Sequence, residues 1–100
     1  MNLIVKVHKK EDRTVVAVCD SSLIGKKLED GLIVLDLSSE FYNGDEQEEK
    51  AVGDLIRNAD TINLVGVHAI KLGIDEGVVE KEQVRKVKGI PYAQSSVVHE

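Results

Sequence analysis

Cys19 and Asp20 stand side by side at the end of the apolar run Val15-Val16-Ala17-Val18, with Ser21-Ser22 directly after them. A thiol where a strand passes into a helical turn feels the positive end of that turn, which favours the thiolate. Cys19 and Asp20 are therefore a candidate reactive site. His8 is grouped with them, since the hairpin register read below puts it on the face that carries Cys19. Lys6, diagonal to Cys19 on that register, would favour the thiolate in the same way. The competing structural reading makes Cys19 a small unreactive residue and Asp20 an N-cap.

The other chemistry-bearing residues are sparse. The three histidines, His8, His68 and His99, form no His-x-x-x-His pair and have no carboxylate at a familiar ligand spacing, so no metal site and no cofactor is expected. Thr61 to Val65 followed by Gly66 and a helix has the strand–glycine–helix order of phosphate cradles. It lacks both Gly-x-Gly-x-x-Gly and Gly-Lys-Ser/Thr, so Gly66 is read as allowing a tight turn and close helix–sheet packing.

Cations fall in three clusters: Lys6, Lys9, Lys10 and Arg13; Lys26-Lys27; and Arg85, Lys86 and Lys88. Were they to converge they would track a phosphate backbone, whereas hairpin lysines alone serve as protection of a sheet edge. Phe41-Tyr42 and Tyr92 are the aromatics, each beside a turn glycine, where a ring either stacks on a base or plugs the core. An RNA-recognition sheet of the ribonucleoprotein type, with rings on its central strands, does not fit these positions.

The chain has 100 residues, 42% apolar and 31% charged, with a formal net charge of −5. That length suits one domain spanning residues 1–100, and that charge provides no global attraction for nucleic acid. One Cys excludes an intramolecular disulfide and suits a reducing compartment. Lys6 interrupts the N-terminal apolar run at once, and no run approaches the roughly 20 apolar residues of a membrane span. A cytoplasmic protein with no membrane partner is expected.

The elements follow from periodicity. Leu3 to Lys9 and Thr14 to Cys19 alternate as strands around the polar Lys10-Glu11-Asp12-Arg13, predicting a hairpin whose paired residue numbers sum to 23. Leu3, Val5, Val7, Val16 and Val18 then share the core face; Ile4, Lys6, His8, Val15, Ala17 and Cys19 share a mixed one. A short helical turn ends at Gly25, and an Asp30-Gly31 turn leads into a third strand, Leu32 to Leu37. Ser38 to Gly44 reads as loop. The acidic run from Asp45 predicts a helical first turn, with Ala51, Val52, Leu55, Ile56 and Ala59 at helical spacing behind it. Thr61 to Val65 reads as a strand, and Val67 to Glu76 as a helix with Val67, Ile70 and Ile74 on its inner face. Lys81 to Gln83 reads as a turn; Val84 to Val87 and Ala93 to Val98 read as strands around a Gly89-Ile90-Pro91-Tyr92 corner. The fold class is α/β, a mixed α+β sheet: hairpin and third strand, then alternating helices and strands, with one layer of helices.

The segments Val16 to Asp20, Leu23-Ile24-Gly25-Lys26, Asp36 to Gly44 with its Phe41-Tyr42-Asn43-Gly44, Asn63 to Gly66, and Gly89 to Gln94 together resemble a small archaeal family, the domain-of-unknown-function family four-two-four. The resemblance implies a stand-alone archaeal cytosolic protein, sometimes labelled RNA-binding and grouped with translation, with no established catalytic residues. Tyr92 stands where His is usual in similar proteins, which argues against imidazole chemistry there. Abundant Lys and Glu suit a thermophilic source. The expectation is a non-catalytic module for RNA or a ribonucleoprotein, with Lys9, Lys10, Arg13, Lys26 and Lys27 on phosphates and Phe41 or Tyr42 stacking. The alternatives are a small enzyme centred on Cys19, Asp20 and His8, or a protein–protein module using the mixed hairpin face. The oligomeric state stays open.

Overall fold

A computed structural model describes residues 2–97 of the chain; His99 and the expected strand end at Val98 lie outside the described residues. The alternating N-terminal runs form β1 (Asn2–Lys10) and β2 (Arg13–Asp20). They pair antiparallel with Ile4 opposite Cys19, Val5 opposite Val18 and His8 opposite Val15, so each pair sums to 23 as alternation predicts.

After β2 a 3-10 turn, Ser21–Leu23, leads to Gly25, whose φ of +89° turns the chain back. The third strand of the expectation is one arm of a separate two-stranded hairpin, β3 (Lys27–Asp30) with β4 (Ile33–Asp36). It lies apart from the main sheet because both neighbours of β2 are taken.

Those neighbours are β1 and β6 (Thr61–Val65), the latter parallel to β2. On the far side of β1 runs β5 (Asp45–Glu48), and beyond β6 lie β8 (Ile90–Ser96) and the edge strand β7 (Arg85–Val87). The six-stranded order is β5-β1-β2-β6-β8-β7, parallel only between β2 and β6. Helices α1 (Glu49–Asn58) and α2 (Val67–Asp75) pack on the face that carries Val5, Val16, Val18, Ile62 and Leu64. The class is mixed α/β, as expected.

The sheet is buried twice. Its helix side holds the larger core, including Val52 and Ile56 from α1 and Ala69, Ile70 and Leu72 from α2. Its other side holds a smaller core of Ala17, Cys19, Leu23, Leu37, Tyr42 and Val65, onto which Leu28, Leu35, Ile90 and Tyr92 pack.

Three expectations are corrected by tertiary contact. The acidic run Asp45–Glu48 is the edge strand β5, and α1 starts only at Glu49, because β1 offers a free edge for it to pair with. Charged side chains suit such an edge, where they discourage further pairing. On α2 the buried residues are Ala69, Ile70, Leu72 and Gly73, while Val67 is 59% exposed. At Gly73 a Cβ would stand 2.4 Å from a terminal methyl of Leu64, which would have to shift, so glycine there lets α2 sit near β6 without displacing it. Finally, the last turn lies at Lys88-Gly89, with φ of +52° and +78°, and Pro91 falls inside β8.

At Gly44 the chain passes so close to β1 that a Cβ would lie 1.8 Å from the Val5 carbonyl oxygen. Backbone cannot yield there as a flexible side chain would. Gly44→Ala is expected to cost about 1–3 kcal/mol of stability, the range for forced overpacking, by displacing β5 from β1. Urea unfolding monitored by circular dichroism measures it; an unchanged midpoint would contradict the close approach.

Candidate functional site

Asp20 is buried at 6% exposure, the one charged side chain so placed among the described residues. Its carboxylate does not cap the turn that follows it. It crosses to α2 and accepts hydrogen bonds from the backbone N–H of His68 (3.1 Å) and of Ala69 (2.8 Å). Two of the N–H groups that a helix leaves unpaired at its start are thereby satisfied, and a negative charge sits at the positive end of the helix dipole.

Gly66 makes this possible. Its φ is +112°, and a Cβ on it would fall 2.3 Å from the Asp20 carboxyl carbon. The strand–glycine–helix cradle of Thr61 to Gly66 is therefore real, but its anion is the chain's own carboxylate. No phosphate can enter while Asp20 remains.

Cys19 has no accessible surface and its thiol donates to the Asp20 carbonyl at 3.4 Å. Burial first, and the Asp20 charge second, push the thiol up to about 12. A protonated, enclosed thiol is no nucleophile at neutral pH, so the favourable helix dipole expected of this position is outweighed by desolvation. His8 cannot assist it: it sits four residues along β1 from the partner of Cys19, about 13 Å at roughly 3.3 Å per residue. The trio Cys19, Asp20 and His8 is not one site. Among the described residues no three His, Cys, Asp or Glu side chains gather as a metal set.

His8 and Phe41 do meet. The imidazole and phenyl rings stack at 4.5 Å with 13° between planes, and His8 Nε2 lies 2.9 Å from the Phe41 carbonyl oxygen. Tyr42, the edge-on neighbour of Phe41 at 5.0 Å, turns inward to the smaller core, where burial pushes its hydroxyl up to about 12. Of the two rings expected to stack on a base, only Phe41 is at the surface.

The register then defines a surface that the linear order hides. Side chains of paired residues in neighbouring strands point to the same face. On the face opposite the helices, the smaller core covers the Cys19 end only. Toward the hairpin tip that face presents Lys6, His8, Lys10 and Arg13 around Val15, followed across the sheet by Asn63 and Gln94. Thr61 and Ser96 stand at its rim, and on the β5 side Glu46, opposite Ile4, belongs to the same face.

The expected cations divide accordingly. Lys10 and Arg13 lie on this open half-face, whereas Lys9, opposite Thr14, points to the helix side. Lys26 and Lys27 follow the far end of β2, whose Asp20 lies about 23 Å from Arg13 at roughly 3.3 Å per residue. There β3 packs near β7, and Lys27 pairs with Glu29 at 3.2 Å. Asn63, Gln94 and the importance of Lys6 escaped sequence reasoning. Only the parallel β2–β6 and antiparallel β6–β8 pairings bring Asn63 and Gln94 beside Lys6 and His8, and those pairings leave no local signature.

The chain belongs to the family described as "Protein of unknown function (DUF424)", whose model matches residues 8–98. It is similar, at 25% identity and a TM-score of 0.85, to a crystal structure of an uncharacterized conserved protein from Methanopyrus kandleri, over 100% of this chain and 95% of that one. No curated protein matches it in sequence. No helix among the described residues is long and apolar enough to cross a membrane.

Two outcomes follow from Asp20 and its neighbour. Asp20→Ala strands two helix N–H groups and is expected to cost about 1–3 kcal/mol, with Asn recovering part of it, as denaturant midpoints will measure. Cys19 and Tyr42, whose ordinary values are 9.0 and 10.0, both hold their protons up to about 12 in the folded chain. Between those limits the native state binds more protons than the unfolded state, so stability is full below about pH 9 and falls as pH rises toward 12. Cys19→Ala should make that alkaline decline shallower; a melting temperature flat from pH 8 to about 11 in the unaltered chain would contradict the burial of both groups.

Proposed function

We propose that this protein is a non-catalytic module that binds single-stranded RNA on the open half-face. The observation that carries the reading is the stacked His8–Phe41 pair at the edge of a cation-bearing groove. A cavity of about 530 Å³ lies there, lined by Lys6, His8, Glu40, Phe41 and Asn43. Phe41 is 37% exposed, so a base can extend the stack that His8 and Phe41 begin. Stacking of this kind tolerates any sequence, since every base has a π-face.

Around the stack the chemistry suits a phosphodiester backbone. Lys6, Lys10 and Arg13 supply charge, and the amides of Asn63 and Gln94 both donate and accept hydrogen bonds. This local field opposes the net charge of −5, so association should rest on short-range contacts and weaken quickly with salt. Lys9, Lys26, Lys27 and Tyr42 lie off this surface. The enzyme alternative has no accessible nucleophile in Cys19.

Filter binding of single-stranded homopolymer RNA across a salt series tests the reading. Replacing Lys6, Lys10 and Arg13 together by Ala should flatten the slope of log K against log salt by about 2, at roughly 0.7 per phosphate contact on single strands. Phe41→Leu should weaken binding by about tenfold or more at every salt concentration, the loss of about one stacked base. Lys26→Ala with Lys27→Ala should change neither. Affinity of the unaltered chain no tighter than that of an acidic control protein removes the proposal.

A further inference from the structure

The β3–β4 hairpin ends in a feature the fold does not use. Gly31, at φ +62°, and Leu32 form its two-residue turn, and Leu32 is fully solvent-exposed at 103%. Ile33 and Val34 beside it are 40% and 53% exposed. The hairpin is anchored by Leu28 and Leu35, which pack on the smaller core, so folding leaves the apolar tip without a partner. A two-stranded hairpin is marginal by itself, and an apolar side chain at its tip gains free energy only by entering another surface.

The charges beside the tip decide what kind of surface. Glu29 and Asp30 flank it, and like-charge repulsion disfavours nucleic acid or anionic lipid. A partner must offer an apolar recess with a cation at its rim. This chain has one: a groove of about 660 Å³ between the β1–β2 hairpin and α1, where Val7, Val16 and Leu55 form the floor and walls and Lys9 the rim, with no carboxylate in its lining. The groove is on the helix side at the Lys9–Thr14 end of the sheet, and the β3–β4 hairpin is on the other side at the Asp20 end. Tip and groove of one molecule therefore cannot meet.

We propose that the Leu32 tip of one molecule seats in the Val7–Leu55 groove of a second copy, with Asp30 facing Lys9. Because tip and groove are different patches at opposite ends, the contact is head-to-tail and does not close at two chains. It is independent of the RNA surface, since Lys9 points away from that face.

Sedimentation equilibrium of nuclease-treated protein, from micromolar to near-millimolar concentration, tests this. The unaltered chain should show a weight-average mass that rises with concentration past that of two chains. Leu32→Glu, which spoils the tip, and Lys9→Glu, which spoils the groove, should each stay monomeric; both positions are exposed, so melting temperatures should be retained. Mixed in equal amounts, these variants hold one intact tip and one intact groove, and should form a species of two chains and no larger. Lys9→Glu combined with Asp30→Lys in one chain should restore association. The inference is overturned if the unaltered chain remains monomeric throughout, if Leu32→Glu associates undiminished, or if the mixture stays monomeric.

Discussion

The contact between the Asp20 carboxylate and the first N–H groups of α2 governs the arrangement of this molecule. It joins the end of β2, a central strand, to the start of the helix that follows the neighbouring strand β6. Burial of a carboxylate costs several kcal/mol if its charge is uncompensated, so the position is tenable only with donors aimed at it. The helix provides two, at 3.1 and 2.8 Å. Gly66 provides the space. From that fixed start α2 runs over β6, and Gly73 lets it approach closely enough to bury Ile70 and Leu72.

The same contact determines what the protein cannot do. A glycine between a strand and a helix is the usual way to hold a phosphate, and here the place is occupied from within. The neighbouring thiol is drawn into the smaller core by the same strand end, which removes the other candidate for chemistry. The strand ends around Asp20 thus hold a satisfied carboxylate and an enclosed thiol, and the exposed polar side chains of that face lie toward the opposite end of the sheet.

That end is open because the sheet has unequal covers. Two helices span one face, whereas the segment from Ser21 to Tyr42 reaches only the half of the other face near Cys19. Where it stops, Phe41 lies on His8, and cations and amides surround Val15. Glu40 lines the groove with them and Glu46 of the β5 edge shares their face, so the cations there act over short range within a chain of net negative charge.

The sequence by itself determined the features that depend on near neighbours in the chain. Alternation around Glu11 and Asp12 specified the first hairpin to the exact pairing, because a slip of one residue would turn Val5, Val16 and Val18 into solvent. Glycines marked where the chain must reverse, as at Gly25 and Gly77. Tertiary structure decided everything that required distant segments to compete for the same partner. Asp45–Glu48 has helical composition yet pairs with β1, since a free sheet edge offers backbone hydrogen bonds that a frayed first turn lacks. Asp20 reads as the cap of the turn beside it but caps a helix 48 residues away, because burial makes the stronger donor set the one that wins. Lys6, His8, Asn63 and Gln94 become one surface only through the β2–β6–β8 pairings, and long-range strand pairing leaves no periodicity in the chain that encodes it.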